Sequence, residues 1–211
     1  MTNAQRDALD TLLNDYRVSS DVRVAPGDAN GFERPAPLWL EIGFGNGELL
    51  THLATTMPGV NFIGSEVYPP GMGRLLRALK HNEIGHVQVV MDDAVTFLHT
   101  QVVDGALDRV LLMFPDPWPK KRHHKRRIVN AEFAALLARK LAVGGVFHAA
   151  TDWEPYKEHM LEVLEACPQL RNMAGASECA QRPDYRTITH FENRGLKLGH
   201  GVWDLMYQRI E

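Results

Sequence analysis

Glu41-Ile42-Gly43-Phe44-Gly45-Asn46-Gly47-Glu48 follows directly on the apolar run Leu38-Trp39-Leu40, and this stretch decides the fold. An apolar run that ends in glycines at three alternating positions reads as a buried strand turning tightly into a helix. The helix follows at once. Residues 48–57 carry Leu49, Leu50, Leu53 and Met57 on one face, and Pro58 stops them. Gly43, Gly45 and Gly47 let the backbone approach a ligand closely at this turn. A dinucleotide fingerprint needs a third glycine at a fixed spacing. Counted from Gly43 that position holds Glu48, and counted from Gly45 it holds Leu50. An acid at the helix start also repels a pyrophosphate. The loop therefore suits a ligand that wants close backbone approach and carboxylates rather than a phosphate cradle.

Outward from this turn the same rhythm repeats. Strands are expected at 38–43, 61–64, 87–91, 107–114 and 146–151, and helices at 48–57, 73–81, 95–100, 129–141 and 156–166. Gly144 and Gly145 are expected to close the 129–141 helix. Strand-helix alternation of this kind gives a mostly parallel sheet with helices on both faces. The tail differs. Residues 187–191 and 202–209 alternate like an antiparallel strand pair, with Trp203, Leu205 and Tyr207 on one side. Two units are expected: an extension over 1–37, with a helix at 4–16 and a loop at 26–37, and a main α/β domain over 38–211.

In such sheets ligands bind beyond the carboxyl ends of the strands, and acids stand at four of those ends. Glu41 precedes the glycine loop, Glu66 follows the second strand, Asp93 the third and Asp116 the fourth. S-adenosylmethionine fits this set. Its sulfonium and amino groups are cationic, its ribose is a diol that Glu66 can accept from, and its adenine amine can donate to Asp93. After the fourth strand comes Phe114-Pro115-Asp116-Pro117-Trp118-Pro119, then Lys120-Lys121-Arg122-His123-His124-Lys125-Arg126-Arg127. Two prolines fix the backbone around one aspartate, and Trp118 offers a stacking surface. Six of the 23 basic residues fall in eight positions, while the rest of the chain sets 26 acids against 17 bases. A local basic block on an acidic body points to a polyanion more firmly than the net charge of −3 does.

These residues resemble the bacterial tRNA (guanine-N7)-methyltransferases of the TrmB type. The resemblance runs from about residue 38 to 209 and is most specific in the Phe114 to Arg127 run. Ala94 after Asp93, Asp152-Trp153-Glu154, and Thr189-His190-Phe191-Glu192 with Arg194-Gly195 match in order as well. The resemblance implies a class I, Rossmann-like sheet of seven strands with an antiparallel C-terminal edge. It implies Glu41, Gly43, Gly45, Gly47, Glu66, Asp93, Ala94 and Asp116 as cofactor contacts, Asp116 also being the active-site acid. It implies Lys120, Asp152, Thr189, His190, Phe191 and Glu192 as substrate contacts, and Arg122, Lys125, Arg126 and Arg127 as contacts to RNA. The implied activity is methylation of N7 of a tRNA guanine, the variable-loop guanine at tRNA position 46.

Two other classes remain open at this point. A small-molecule methyltransferase of the same fold would need no phosphate clamp, and a non-catalytic RNA-binding module would not bind the cofactor. Composition excludes more: 45% hydrophobic and 23% charged residues are those of a globular chain, not a disordered or fibrous one. The longest apolar runs, such as 110–114, fall far short of the roughly 20 residues of a membrane span. Cys167 and Cys179 lack the spacing of a zinc site or disulfide framework, and the adjacent His123 and His124 point apart, so no metal is expected. No secretion leader is evident, so a cytoplasmic protein is expected, acting as a monomer or homodimer on tRNA without an obligatory protein partner.

Overall fold

Five of the apolar runs form parallel neighbours: β1 (Leu38–Ile42), β2 (Asn61–Ser65), β3 (Val87–Val90), β4 (Leu107–Met113) and β5 (Leu141–Thr151). β6 (Leu170–Asn172) and β7 (Trp203–Arg209) complete a seven-stranded sheet in the order β3-β2-β1-β4-β5-β7-β6. β7 runs antiparallel to both β5 and β6, which gives the expected antiparallel C-terminal edge. This is the class I methyltransferase architecture. The structure, a computed structural model, describes residues 1–188, 192 and 201–211.

All five residues of β1 are buried, because helices cover both faces of the sheet. On one face α1 (Asn3–Tyr16), α2 (Glu48–Thr56) and α3 (Pro69–His81) pack around Leu50, Leu53, Phe62, Leu75 and Leu76. On the other, α4 (Ala94–Thr100), α5 (Ala131–Lys140) and α6 (Glu154–Glu165) pack around Phe97, Phe133, Phe147, Tyr156 and Met160. The sheet order reverses at β1 and β4. The crevice beyond their carboxyl ends is where such sheets take ligands.

Residues 1–37 are tied to this body rather than trailing from it. Thr2 and Gln5 form a reciprocal cap at the start of α1. Ala8 is buried on the inner face of α1, and lone β-bridges join Arg17 to Val89 and Val24 to Val102.

Two local expectations are corrected. α5 starts at Ala131, capped by the Asn130 side chain, and ends at Lys140 with β5 following immediately. Gly144 and Gly145 therefore lie inside β5. There the register against β4 slips between Leu107 and Arg109, and Gly144 takes φ +84°. Only glycine turns that irregularity without strain. The second concerns the tail. Among the described residues β7 pairs with β5 and with the three-residue β6, and of its expected partner over 187–191 only 187 and 188 are described. Thr187 and Ile188 are irregular, and 189–191 lie outside the described residues. A strand of three residues is too short to show a period, so β6 left no signal.

Candidate active site

The glycine loop is built by backbone geometry. Gly43, Gly45 and Gly47 have φ of +68°, +56° and +73°, the left-handed region that side chains disfavour. Glu66, half-buried after β2, braces the loop from beneath. Its Oε2 accepts from Gly45 N at 2.8 Å, and its Oε1 accepts from Val67 N at 2.8 Å and Tyr68 N at 3.0 Å. Asp93 caps α4, with Oδ1 accepting from Thr96 N at 2.9 Å and from Thr96 Oγ1 at 3.1 Å. Ala94 is the first residue of that helix and is buried.

Glu41 is 3% exposed, and its Oε2 has no hydrogen-bond partner among the described residues. Burial, reinforced by the nearby Glu66 charge, pushes its carboxyl up to about 8. A buried acceptor with no partner is costly, and Glu41 lies in the wall of a space. That space is a cavity of about 520 Å³ lined by Glu41, Gly43, Gly45, Glu48, Phe114, Asp116, Asp152 and Arg186, among others. A smaller pocket of about 140 Å³ shares Gly43 and is lined by Glu66, Asp93 and Ala94. The structure therefore gathers the expected donor-side residues at one crevice.

Past β4 the chain is strained. Phe114 and Trp118 take φ of +51° and +45°, which costs about 1–3 kcal/mol for a non-glycine residue. Between them Pro115 and Pro117 flank Asp116, which is exposed at the cavity. Residues 121–126 form a 3-10 turn, with Lys120 as its cap. Lys120, Arg122, Lys125 and Arg126 are exposed, and among the described residues none of them is ion-paired. Two members of the run also make contacts within the loop, and only the second departs from expectation. Arg126 lies 4.8 Å over the Trp118 ring, so it occupies a face of that stacking surface. Arg127 is buried. Its Nε donates to the Pro117 carbonyl at 2.9 Å and its guanidinium lies 4.8 Å from the Tyr156 ring. Arg127 braces the loop from inside and is not placed as an exposed phosphate contact.

Asp152, at the end of β5, is exposed and lines the larger cavity. Glu192 is buried in a bidentate pair with Arg186, at 2.6 and 3.0 Å. Thr189, His190 and Phe191 lie outside the described residues. Sequence reasoning passed over Arg186, Asp204, His148 and Tyr185, which form a buried polar group beside the cavity. Two signals were present: His148 interrupts the apolar run 146–150, and Asp204 stands between Trp203 and Leu205.

Residues 35–205 match the family described as "Putative methyltransferase". The chain is 52% identical over 209 residues to a tRNA (guanine-N(7)-)-methyltransferase of Methylococcus capsulatus, covering 99% of this chain and 90% of the relative. It is 50% identical to a protein of the same name in Pseudomonas aeruginosa, over 100% of this chain and 86% of that one. The chain belongs to the tRNA (guanine-N(7)-)-methyltransferase family. Solved structures of more distant enzymes share the fold: the 16S rRNA methyltransferase KamB, with a TM-score of 0.63 at 12% identity over 93% of this chain and 100% of that one, and an rRNA methylase of Streptococcus thermophilus, with a TM-score of 0.58 at 13% identity over 100% and 99%.

Membership of a methyltransferase family implies S-adenosyl-L-methionine, and this crevice fits it. A glycine cradle admits the backbone contact, and Glu41, with its unpartnered oxygen, lines the cavity together with the exposed Asp116 and Asp152. Among the described residues the one cation in the lining, Arg186, is already bound to Asp204 and Glu192. Such a site favours a cationic ligand.

Proposed function

We infer that this protein transfers a methyl group from S-adenosyl-L-methionine to N7 of a guanine in tRNA, the variable-loop guanine at tRNA position 46. The observation that carries this reading is the junction at the end of β4. An acidic cavity suited to a sulfonium donor lies at the start of the loop that carries exposed Lys120, Arg122, Lys125 and Arg126, none of which is ion-paired among the described residues. A small acceptor would leave those cations without a purpose.

When bound, the cofactor supplies a methyl group made electrophilic by a sulfonium. Glu41 and Asp116 would hold its cationic part, and Glu66 and Asp93 would accept from its nucleoside. Lys120, Arg122, Lys125 and Arg126 hold RNA phosphates. N7 of guanine carries no proton in the substrate, so the transfer asks no side chain for a general base. What moves is positive charge, from sulfur to the purine. Asp116 helps to the extent that its carboxylate interacts more strongly with the charged ring than with the sulfonium before transfer. Asp152 accepts from the guanine edge, its N1–H and amine, which favours guanine over adenine. A tRNA substrate supports a cytoplasmic location.

Labelled methyl transfer to tRNA, followed by strand scission specific for 7-methylguanosine, tests the reading. Labelled tRNA cut once, in the variable loop, is expected. Absence of label would refute the activity, and a single cut elsewhere would refute only the position.

A further inference from the structure

A chain of hydrogen bonds runs behind the acceptor side of the cavity. Arg109 Nη1 bonds to the Tyr185 hydroxyl at 2.6 Å, Tyr185 to His148 Nδ1 at 2.7 Å, and His148 Nε2 to Asp204 at 2.7 Å. Arg186 closes it, donating Nε and Nη2 to Asp204 at 2.6 and 2.8 Å. The donors can be ordered. The Asp204 carboxylate only accepts, so His148 donates from Nε2. Nδ1 of a neutral ring then accepts from the Tyr185 hydroxyl, whose oxygen accepts from Arg109. The chain is complete only with a neutral His148. Burial pushes the His148 ring below its ordinary value, against the pull of Asp204. Burial works to raise Asp204, yet its bonds from His148 and Arg186 hold it low.

The other edge of the Arg186 guanidinium grips Glu192, and its carbon lies 5.7 Å from the Phe114 ring centroid. Phe114 is the left-handed residue two before Asp116. Arg186 is therefore the one described side chain that joins β7, Glu192 and the strained turn carrying Asp116, and it lines the cavity as it does so.

We propose that Arg186 is a positioning residue for methyl transfer: gripped by Asp204 through the Tyr185–His148 chain, it fixes Glu192 and the Phe114–Asp116 turn in place for the acceptor base. This rests on the function inferred above. Four of the five Arg186 N–H donors are engaged by Asp204 and Glu192, so its loss disturbs placement more than donor binding. Lysine keeps the charge but loses the planar fork that spans two carboxylates. A misplacement of about 1 Å at a reacting centre costs on the order of 100-fold.

The test compares wild type with Arg186→Lys, Tyr185→Phe, Glu192→Gln and the Arg186→Lys/Glu192→Gln pair. Three quantities are read: the rate of methylation of tRNA at saturating cofactor, the Kd for tRNA, and the Kd for S-adenosylhomocysteine. Arg186→Lys is expected to slow turnover roughly 10- to 100-fold with both Kd values within about 2-fold of wild type. Tyr185 does not line the cavity, and Tyr185→Phe is expected to slow turnover by a smaller factor, about 3- to 10-fold, with the same unchanged Kd values. The paired variant is expected to be little worse than its more damaged single variant. Unchanged turnover in Arg186→Lys, additive losses in the pair, or a cofactor Kd that worsens in step with turnover would each overturn the role. If Arg186→Lys does not fold, Tyr185→Phe decides, and wild-type turnover in it overturns the role. A wild type inactive on tRNA would overturn the function and this role with it, whereas an active wild type with unaffected variants would overturn the role alone.

Discussion

The two halves of the cavity are built from different materials. The donor half is held by backbone: three left-handed glycines, a glutamate braced by three amides, and an aspartate that caps a helix. The acceptor half is held by side chains from distant parts of the chain. Arg186 bridges Asp204 and Glu192, Arg127 props the loop under Pro117, and Phe114 and Trp118 sit strained beside Asp116. A small, invariant ligand is served by a slot formed within a few residues. A large polyanion is served by an open face whose parts must be brought together by the fold.

The sharpest way to break this comparison is at Asp116, where the halves meet. One charge pair at about 4 Å and an effective dielectric near 20 is worth about 4 kcal/mol. The useful part is a difference between two such interactions, about 1 to 3 kcal/mol, or a roughly 5- to 150-fold loss of rate. Asp116→Asn is expected to fold, bind tRNA and lose most of its turnover, with no new pH dependence between about pH 6 and 9. Single-turnover rates across that range check this. Wild-type turnover in the folded variant would remove Asp116 from the chemistry.

Glu66→Gln probes the donor half alone. It removes charge-assisted acceptance, worth about 1.5 to 3 kcal/mol per hydrogen bond, and places an amide against the Gly45 N–H. Cofactor affinity measured by calorimetry is expected to fall roughly 10- to 100-fold while tRNA binding persists. A loss of tRNA affinity instead would move Glu66 to the other half.

The basic block separates by exposure. Arg126→Ala is expected to flatten the log-log salt dependence of tRNA binding by about 0.7 to 0.9 units, as for one lost phosphate contact. Arg127→Ala, which removes a buried brace, is expected to lower thermal stability while leaving that slope nearly unchanged. Equal slope changes in the two variants would contradict the placement of Arg127.

The last effect, on stability rather than on binding or rate, concerns Glu41. Its carboxyl is raised from 4.5 to about 8, so between those values the folded protein keeps a proton that the unfolded chain has lost. Stability without ligand is then expected to decline as pH rises from about 4.5 through about 8. Glu41→Gln should lack that decline, gaining on wild type as pH rises. Thermal denaturation at pH 5 and pH 8.5 checks the sign, and an advantage for the variant that shrinks with pH would refute it.

Legibility followed the same division. The turn at Gly43–Gly47 and the acids at the strand ends were readable, because each depends on neighbours within a few residues. The basic block was readable as charge, but the burial of Arg127 was not, since it is set by Tyr156 on α6. Arg186 was invisible, because its meaning lies in Asp204, 18 residues away, and in a histidine on another strand. Gly144 and Gly145 misled in the same way. A glycine pair after a helix reads as a stop, and only the register against β4 shows it to be a kink within a strand.

That the two halves are separable is tested most directly by measuring two quantities on the same two variants. These are the Kd for S-adenosylhomocysteine and the single-turnover rate of tRNA methylation at saturating cofactor, in Glu66→Gln and Arg186→Lys. The expected pattern is crossed: Glu66→Gln weakens cofactor binding and leaves the saturated rate near wild type, while Arg186→Lys slows the rate and leaves cofactor binding near wild type. Both variants shifting both quantities in the same proportion would show a single, undivided site and contradict this account.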